Sequence, residues 1–228
     1  FRRAGDRRTN TNTNTNTPSQ SLAPLTSATP LFATDEFFLA HMAWLDVATG
    51  TGDLALLADQ ILEPESIIGI DIANNMLAVG REKIQRIGKS DRIQLETGDA
   101  EAIKHPDASF DLVMVAYGIR NFQDLSAGLR DMLRVLRPGG QLMVLEFARP
   151  RNPIWRALYH FYMKRYAPTV AGWMGQDKKA YAYLNESARL FPERDDLLKI
   201  LKETGYSNCQ YKSYTGGICC RYLATRPL

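Results

Sequence analysis

The stretch Trp44 to Asp53 reads WLDVATGTGD, with glycines on either side of Thr51 and carboxylates at Asp46 and Asp53. Glycine alone takes positive φ freely and lets another molecule approach the backbone closely. Gly50-Thr51-Gly52 therefore predicts a tight turn between an apolar strand and the helix-forming run LALLADQIL. About twenty residues further on, a second strand-like run, Ser66 to Ile70 (SIIGI), ends at Asp71. An acidic side chain at the tip of a second strand is placed to accept hydrogen bonds from both hydroxyls of a ribose. Together the two features point to a cofactor that carries a nucleoside.

The spacing argues against a dinucleotide. Gly50-Thr51-Gly52 is followed by Asp53-Leu54-Ala55 and so lacks the third glycine of G-x-G-x-x-G. Carboxylates at Asp46 and Asp53 on either side of the turn would repel a pyrophosphate. They suit a cofactor with a zwitterionic amino-acid tail and a cationic reactive centre, which describes S-adenosylmethionine. From this motif alone, an ordinary glycine-rich loop without a ligand stays open.

Two further segments narrow the reading. Gly98-Asp99-Ala100-Glu101 follows the β-rich run Arg92 to Glu96, where an acidic side chain can hold an adenine amino group. Phe110 to Val115 reads as a buried strand and continues into Ala116-Tyr117-Gly118-Ile119-Arg120-Asn121. Leu136-Arg137-Pro138-Gly139-Gly140 reads as a helix end and turn leading into the strand Gln141 to Phe147. The ordered set LDVATGTGD, GIDIANNML, GDAE, FDLVMVAYGIRN and VLRPGGQLMVLEF resembles class I S-adenosylmethionine-dependent methyltransferases. More narrowly, the chain resembles the ubiquinone/menaquinone biosynthesis C-methyltransferase family, over about Trp44 to Pro227. The narrower match rests on AYGIRNFQDL, on LEFARP with the aromatic-rich insert after it, and on the near-terminal TGGICCRYLATRP.

That resemblance implies S-adenosylmethionine-dependent C-methylation of a prenylated quinol ring. The ATGTGD and TGGIC segments look more like the menaquinone branch, demethylmenaquinol to menaquinol, than the ubiquinone one. The alternatives are the ubiquinone-pathway methylation, another small acceptor such as a sterol or polyketide phenol, and a cofactor-binding protein with impaired turnover. The cofactor-binding set it implies is Asp46, Gly50, Thr51, Gly52, Asp71, Asp99, Ala100 and Ala116, and the catalytic pair is Arg120 and Asn121. An always-charged guanidinium stabilises a phenolate directly or holds a water that takes the proton. A purely structural Arg120, paired with Asp99 or Asp124, stays open, as does Asp46 as no more than an orienter of the glycine turn. His160 reads as a packing or solvent-facing residue. Tyr181 and Tyr183 either line a quinone pocket or fill core. Relatives usually carry Pro-Glu-Ser where this chain has Asn185-Glu186-Ser187. Cys219 and Cys220 read as strand residues, with nothing nearby in sequence to lower their pKa.

The elements needed to position these residues follow from apolar periodicity. Helices are predicted at Leu54–Leu62, Asn74–Ile87, Leu125–Leu136, Pro153–Met174 (broken near Pro168) and Glu193–Thr204. Strands are predicted at Ala43–Val47, Ser66–Ile70, Arg92–Glu96, Leu112–Val115, Gln141–Phe147, Ser207–Tyr214 and Ile218–Thr225. The fold class is α/β: a doubly wound, mostly parallel, seven-stranded Rossmann-like sheet with a C-terminal antiparallel hairpin across Thr215-Gly216-Gly217. Asp46, Asp71, Asp99 and Arg120 all fall at strand ends, where ligands of such sheets sit.

At 228 residues with 45% hydrophobic content, one α/β domain spanning 41–228 and a tail spanning 1–40 are expected. A net charge of +3 over 25 acidic residues gives no ground for a nucleic-acid partner. No metal site is expected, since His41, His105 and His160 lie far apart. Three cysteines, two of them adjacent, suit reduced thiols in the cytoplasm. The tail carries a Thr-Asn repeat and is expected to be disordered rather than a targeting segment. Relatives have a helical segment before the first strand, where this chain has LFATDEFFLAHMA, and the difference leaves affinity and activity open, with an impaired protein as the alternative. No run approaches a membrane span. The apolar insert Ile154 to Met174, flanked by Lys164, Arg165, Lys178 and Lys179, predicts a lid for an isoprenoid tail and transient contact at the inner membrane face. A homodimer is left open.

Overall fold

The computed structural model describes residues 42–161 and 191–228. The tail, the continuation of the insert beyond Phe161, Tyr181, Tyr183 and the Asn185-Glu186-Ser187 loop lie outside the described residues. Five parallel strands and three helices come first: β1 (Ala43–Val47), α1 (Asp53–Leu62), β2 (Ser66–Asp71), α2 (Asn74–Arg86), β3 (Ile93–Thr97), β4 (Phe110–Ala116), α3 (Leu125–Val135) and β5 (Leu136–Phe147). There follow α4 (Pro153–Phe161), α5 (Asp195–Thr204), β6 (Ser207–Tyr214) and β7 (Cys219–Thr225). One sheet takes the order β3-β2-β1-β4-β5-β7-β6. β1 to β5 run parallel, and β7 inserts antiparallel between β5 and β6. The chain changes direction between β1 and β4, so their carboxyl ends open the cleft where a ligand sits.

Both faces of the sheet are covered, which is why its strands are nearly continuous apolar runs. Side chains alternate along a strand, and the core divides accordingly. Trp44 of β1 and Leu112 and Met114 of β4 pack with Ala55 and Ala58 of α1 and Leu77 and Ile84 of α2. Leu45, Val47, Val113 and Val115 face the other way, against Leu129 and Met132 of α3 and Leu197 and Leu201 of α5.

Several element boundaries differ from the sequence expectation by a residue or two, and two shifts have a visible cause. β5 starts at Leu136 rather than Gln141. Leu136 pairs with Phe110, and the Gly139 N–H and Gly140 carbonyl exchange hydrogen bonds with Arg226 at 3.0 and 2.9 Å. That pairing draws the LRPGG turn into the sheet. α5 starts at Asp195 rather than Glu193, because Glu193 and Arg194 are held in an ion-pair network and Arg194 has φ of 54°. A one-turn 3₁₀ helix at Ile119–Asn121 was not foreseen.

Gly80 ties α2 to the turn after β1. Glycine in mid-helix is unfavourable by about 1 kcal/mol relative to alanine, so its presence in α2 marks a close approach. A Cβ there would lie 2.5 Å from Leu95 Cδ1 and 2.9 Å from the Thr51 carbonyl oxygen. The side chain can give way but the backbone of the turn cannot. Gly80→Val is expected to lower stability in urea denaturation by roughly 1–3 kcal/mol through overpacking. A wild-type midpoint would refute the close fit.

Candidate functional site

The β1–α1 turn is closed by its own backbone and tied to the tip of β2. Ala48, Gly50 and Gly52 have φ of 55°, 58° and 75°, the left-handed geometry that the two glycines supply at least cost. The Thr49 N–H donates to the Ile70 carbonyl at 3.0 Å, and the Gly50 N–H donates to Asp71 Oδ2 at 2.8 Å. Asp71 Oδ1 accepts the Ala73 N–H at 2.8 Å. Each oxygen of that half-buried carboxylate carries two lone pairs, so a second hydrogen bond to each remains open. This is the capacity that two ribose hydroxyls require.

Asp46 faces inward, buried in the turn, and accepts from Thr49 Oγ1 at 2.6 Å. Burial pushes its carboxyl up to about 7. The Asp71 charge adds to the rise, while the Thr49 hydroxyl and the Ala55 N–H oppose it. Asp53 does not face the cleft as the charge argument assumed. It pairs with Lys83 at 2.7 Å and accepts from Thr51 Oγ1 at 2.6 Å, and these bonds hold its carboxyl below the usual range. Lys83 also donates to Thr51 Oγ1 at 2.9 Å, so the Thr51 side chain is engaged with α1 and α2.

Asp99 is exposed beyond β3 and accepts the Glu101 N–H at 2.9 Å, next to a half-buried Ala100. Glu101, which the sequence reading gave no role, receives the N–H groups of Gln123 and Asp124 at 2.6 and 3.1 Å. The Asp99–Glu101 loop is thereby fastened to the loop that carries Arg120.

Ala116 ends β4 half-buried, and the Tyr117 N–H donates to the Leu145 carbonyl at 2.8 Å. Gly118 packs so closely on β1 that a Cβ would stand 2.4 Å from that of Ala48. The Arg120 turn is thus pressed against the glycine turn, and the two halves form one cleft. Asn121 lies exposed at the end of that turn, its N–H bonded to the Gly118 carbonyl at 3.0 Å.

Arg120 pairs with neither Asp99 nor Asp124. The latter caps α3 by accepting the Ala127 N–H at 2.9 Å. Its partner is Glu146 near the end of β5, Nη1 to Oε1 at 2.5 Å, with both side chains buried. The Arg120 guanidinium lies 5.5 Å from the centre of the Phe147 ring, and the Tyr117 ring lies 4.5 Å from the same ring. The Tyr117 hydroxyl meets Cys219 Sγ at 3.4 Å. Burial pushes the Cys219 thiol up, so this cysteine is no nucleophile. Glu146, Tyr117 and Phe147 were absent from the sequence-derived site. The available signal was a glutamate inside the otherwise apolar run QLMVLEF, since glutamate is almost never fully buried unless paired.

A doubly wound sheet with an antiparallel last pair, a glycine turn after β1 and an acid at the tip of β2 defines the class I S-adenosylmethionine-dependent methyltransferase fold. A SAM dependent methyltransferase from Aquifex aeolicus superposes with a TM-score of 0.55 at 18% identity, over 83% of this chain and 85% of that one, a likeness of fold. The chain belongs to the ubiE/COQ5 methyltransferase family, whose model matches residues 36–226. It is 40% identical over 182 residues to a demethylmenaquinone methyltransferase of Bacteroides fragilis, covering 80% of this chain and 74% of the relative. It is 41% identical over 175 residues to the ubiquinone/menaquinone biosynthesis C-methyltransferase UbiE of Pseudoalteromonas translucida, covering 76% and 70%.

Asp46 gives the cleft a pH signature. Its folded pKa lies above the unfolded value of 3.8, so the stability it contributes is full below that value and is lost as pH rises through about 7. Between pH 5 and pH 8 the loss amounts to on the order of 2 kcal/mol. Chemical denaturation at both pH values is expected to show this decline in the wild type and a flatter profile in Asp46→Asn. Identical slopes would mean that Asp46 is ionised throughout.

Proposed function

We propose that this chain methylates a ring carbon of a prenylated quinol, and that its acceptor is demethylmenaquinol, giving menaquinol. The observation that carries the proposal is the buried Arg120–Glu146 pair beside the Tyr117–Phe147 aromatic shelf, at the same strand ends as Asp71. The relative from Bacteroides fragilis is named for the menaquinone step, and the one from Pseudoalteromonas translucida for both branches, which makes the ubiquinone-pathway quinol the second acceptor to test.

S-adenosylmethionine, when bound, supplies an electrophilic methyl group on a sulfonium centre. The chain holds it through Asp71 at the ribose hydroxyls, Asp99 at the adenine amino group, and Asp46 with Gly50, Thr51 and Gly52 at the amino-acid end. Ala100 and Ala116 border the adenine and the reacting centre. A ring carbon becomes nucleophilic when the neighbouring hydroxyl loses its proton. Arg120 favours that loss by donating to the oxygen as charge builds on it. Asn121 orients the same oxygen from the end of the turn. The aromatic shelf takes the face of the ring and keeps water out, which strengthens every charge–dipole interaction in the cleft. Once the carbon carries the methyl group, its ring proton leaves to water and the ring oxygen regains a proton, which restores the quinol.

The quinol resides in a bilayer, and the chain is assigned here to the cytoplasm with peripheral contact at the inner membrane face. Among the described residues no helix is long and apolar enough to cross a membrane. α4 turns Ile154, Leu158 and Phe161 outward beside Arg151 and Arg156. A helix with that make-up rests on an anionic surface. Co-sedimentation with anionic vesicles is expected for the full chain and is expected to weaken in Ile154→Asp/Leu158→Asp. No sedimentation of the wild type removes the membrane contact.

Radiolabelled S-adenosylmethionine with reduced demethylmenaquinone is expected to yield labelled menaquinone. Label appearing only on the ubiquinone-pathway precursor would reassign the branch, and label on neither would refute the acceptor. Arg120→Ala is expected to lower kcat by roughly 100-fold or more, as loss of an oxyanion donor does. Its affinity for S-adenosylhomocysteine should stay within a few-fold. Near-normal turnover would remove Arg120 from the mechanism.

A further inference from the structure

Glu146 has no place in the methyl-transfer chemistry above, yet it is 1% exposed in the middle of the sheet. Burying a carboxylate costs several kcal/mol unless it is paired, and an apolar residue would serve the packing of β5 at least as well. The neighbours of Glu146 show what it is paired with. Its Oε1 takes Arg120 Nη1 at 2.5 Å and the Phe147 N–H at 2.8 Å. Burial pushes the Glu146 carboxyl up, and the Arg120 charge, the Phe147 N–H and the Arg120 hydrogen bonds oppose that rise and favour the charged form. Its Oε2 is buried without a hydrogen-bond partner among the described residues. Among the described residues, Tyr117 from the end of β4 and Cys219 and Cys220 from β7 also stand near the pair, and the cation bonded to Glu146 is the Arg120 guanidinium.

The position of this cation sets a problem. Its turn packs on the glycine turn through Gly118 and Ala48, so a ligand seated at the glycine turn and Asp71 shares the cleft with Arg120. A sulfonium is positively charged. An unneutralised guanidinium in the same cleft repels it, whereas the thioether product feels no such repulsion. At a separation on the order of 10 Å and an effective dielectric of about 20, two unit charges change an affinity roughly tenfold.

We infer that Glu146 is a charge-cancelling and positioning residue: it presents Arg120 as a hydrogen-bond donor without net charge, so that one cleft accommodates both the guanidinium and a sulfonium ligand. The inference rests on the functional reading only in taking S-adenosylmethionine as the cationic ligand. Glu146 acts through Arg120 and touches no reacting atom.

The experiment is calorimetric and does not depend on turnover. The ratio of the dissociation constants for S-adenosylmethionine and S-adenosylhomocysteine is measured for the full chain, Glu146→Gln, Arg120→Gln and the double variant. Glutamine keeps the shape and one acceptor oxygen, and binding of the uncharged homocysteine ligand reports that each variant is folded. Glu146→Gln leaves the guanidinium uncancelled, and the ratio is expected to rise roughly three- to tenfold. Arg120→Gln should show no rise, and the double variant should return to the wild-type ratio, because both charges are then gone. A merely structural Glu146 would weaken both ligands alike, and a ratio within twofold of wild type in Glu146→Gln overturns the inference. Intact quinol methylation beside that unchanged ratio would sink this inference alone. A wild type that shows the predicted ratios yet methylates no quinol would sink the functional proposal alone. A wild type that binds neither ligand would overturn both.

Discussion

The hydrogen bond from the Gly50 N–H to Asp71, 2.8 Å long, joins the end of β1 to the end of β2, and the geometry of the cleft follows from it. A backbone N–H in a left-handed turn has no regular partner, and a carboxylate at a strand tip has no reason to stay put; each fixes the other. The other restraints radiate from this bond. The Thr49 N–H anchors the turn to Ile70, Gly80 of α2 lies against the Thr51 carbonyl, and Gly118 lies against Ala48. Each glycine stands where a Cβ would meet an atom of the neighbouring segment. Close backbone packing, rather than loop flexibility, makes the glycine turn a binding surface.

Charge is distributed unevenly around this packing. Among the described residues, Asp46 is buried with a hydroxyl and N–H groups as partners, and Asp71 is held by backbone N–H groups. Asp53, the third acid of the turn, is neutralised outside the cleft by Lys83. Arg120 and Glu146, by contrast, are a buried cation and anion that cancel. Repulsion between Asp46 and Asp71 contributes to the raised pKa of Asp46. A bound ammonium or sulfonium relieves that repulsion, so ligand charge and Asp46 ionisation are linked.

Most of the fold was legible in the sequence because parallel strands covered on both faces are unbroken apolar runs with glycine or acid at their ends. β1, β6 and the hairpin fell where periodicity put them. Local geometry was legible wherever a local motif announced it, as with the left-handed glycine turn and the carboxylate at the tip of β2. The geometry was illegible where pairing is long-range. Arg120 and Glu146 are 26 residues apart, and nothing local to either names the other, so the nearer acids Asp99 and Asp124 looked like the candidates. The role of Asp53 was misread for the same reason: Lys83 is 30 residues away, on a helix whose approach depends on Gly80. The boundary at Glu193 moved because its carboxylate is spent on Arg149, 44 residues earlier.

That last network ties the segment that leaves β5 to the segment that leads into α5. The chain leaves β5 through Arg149 and comes back at Glu193 and Arg194. The Arg149 N–H and Nε donate to Glu193 at 3.0 and 2.6 Å, and Arg194 Nη1 donates to the same carboxylate at 2.7 Å. The Arg194 N–H reaches the Tyr222 hydroxyl at 2.7 Å, its Nη2 reaches the Gly217 carbonyl at 3.2 Å, and the same nitrogen bonds the Arg149 carbonyl. Exit and re-entry are therefore pinned to one point, close to the β5–β7 pairing that sets Phe147 opposite Cys219. Closing a loop costs entropy that grows only slowly with its length, so a fixed neck tolerates an insert of almost any composition.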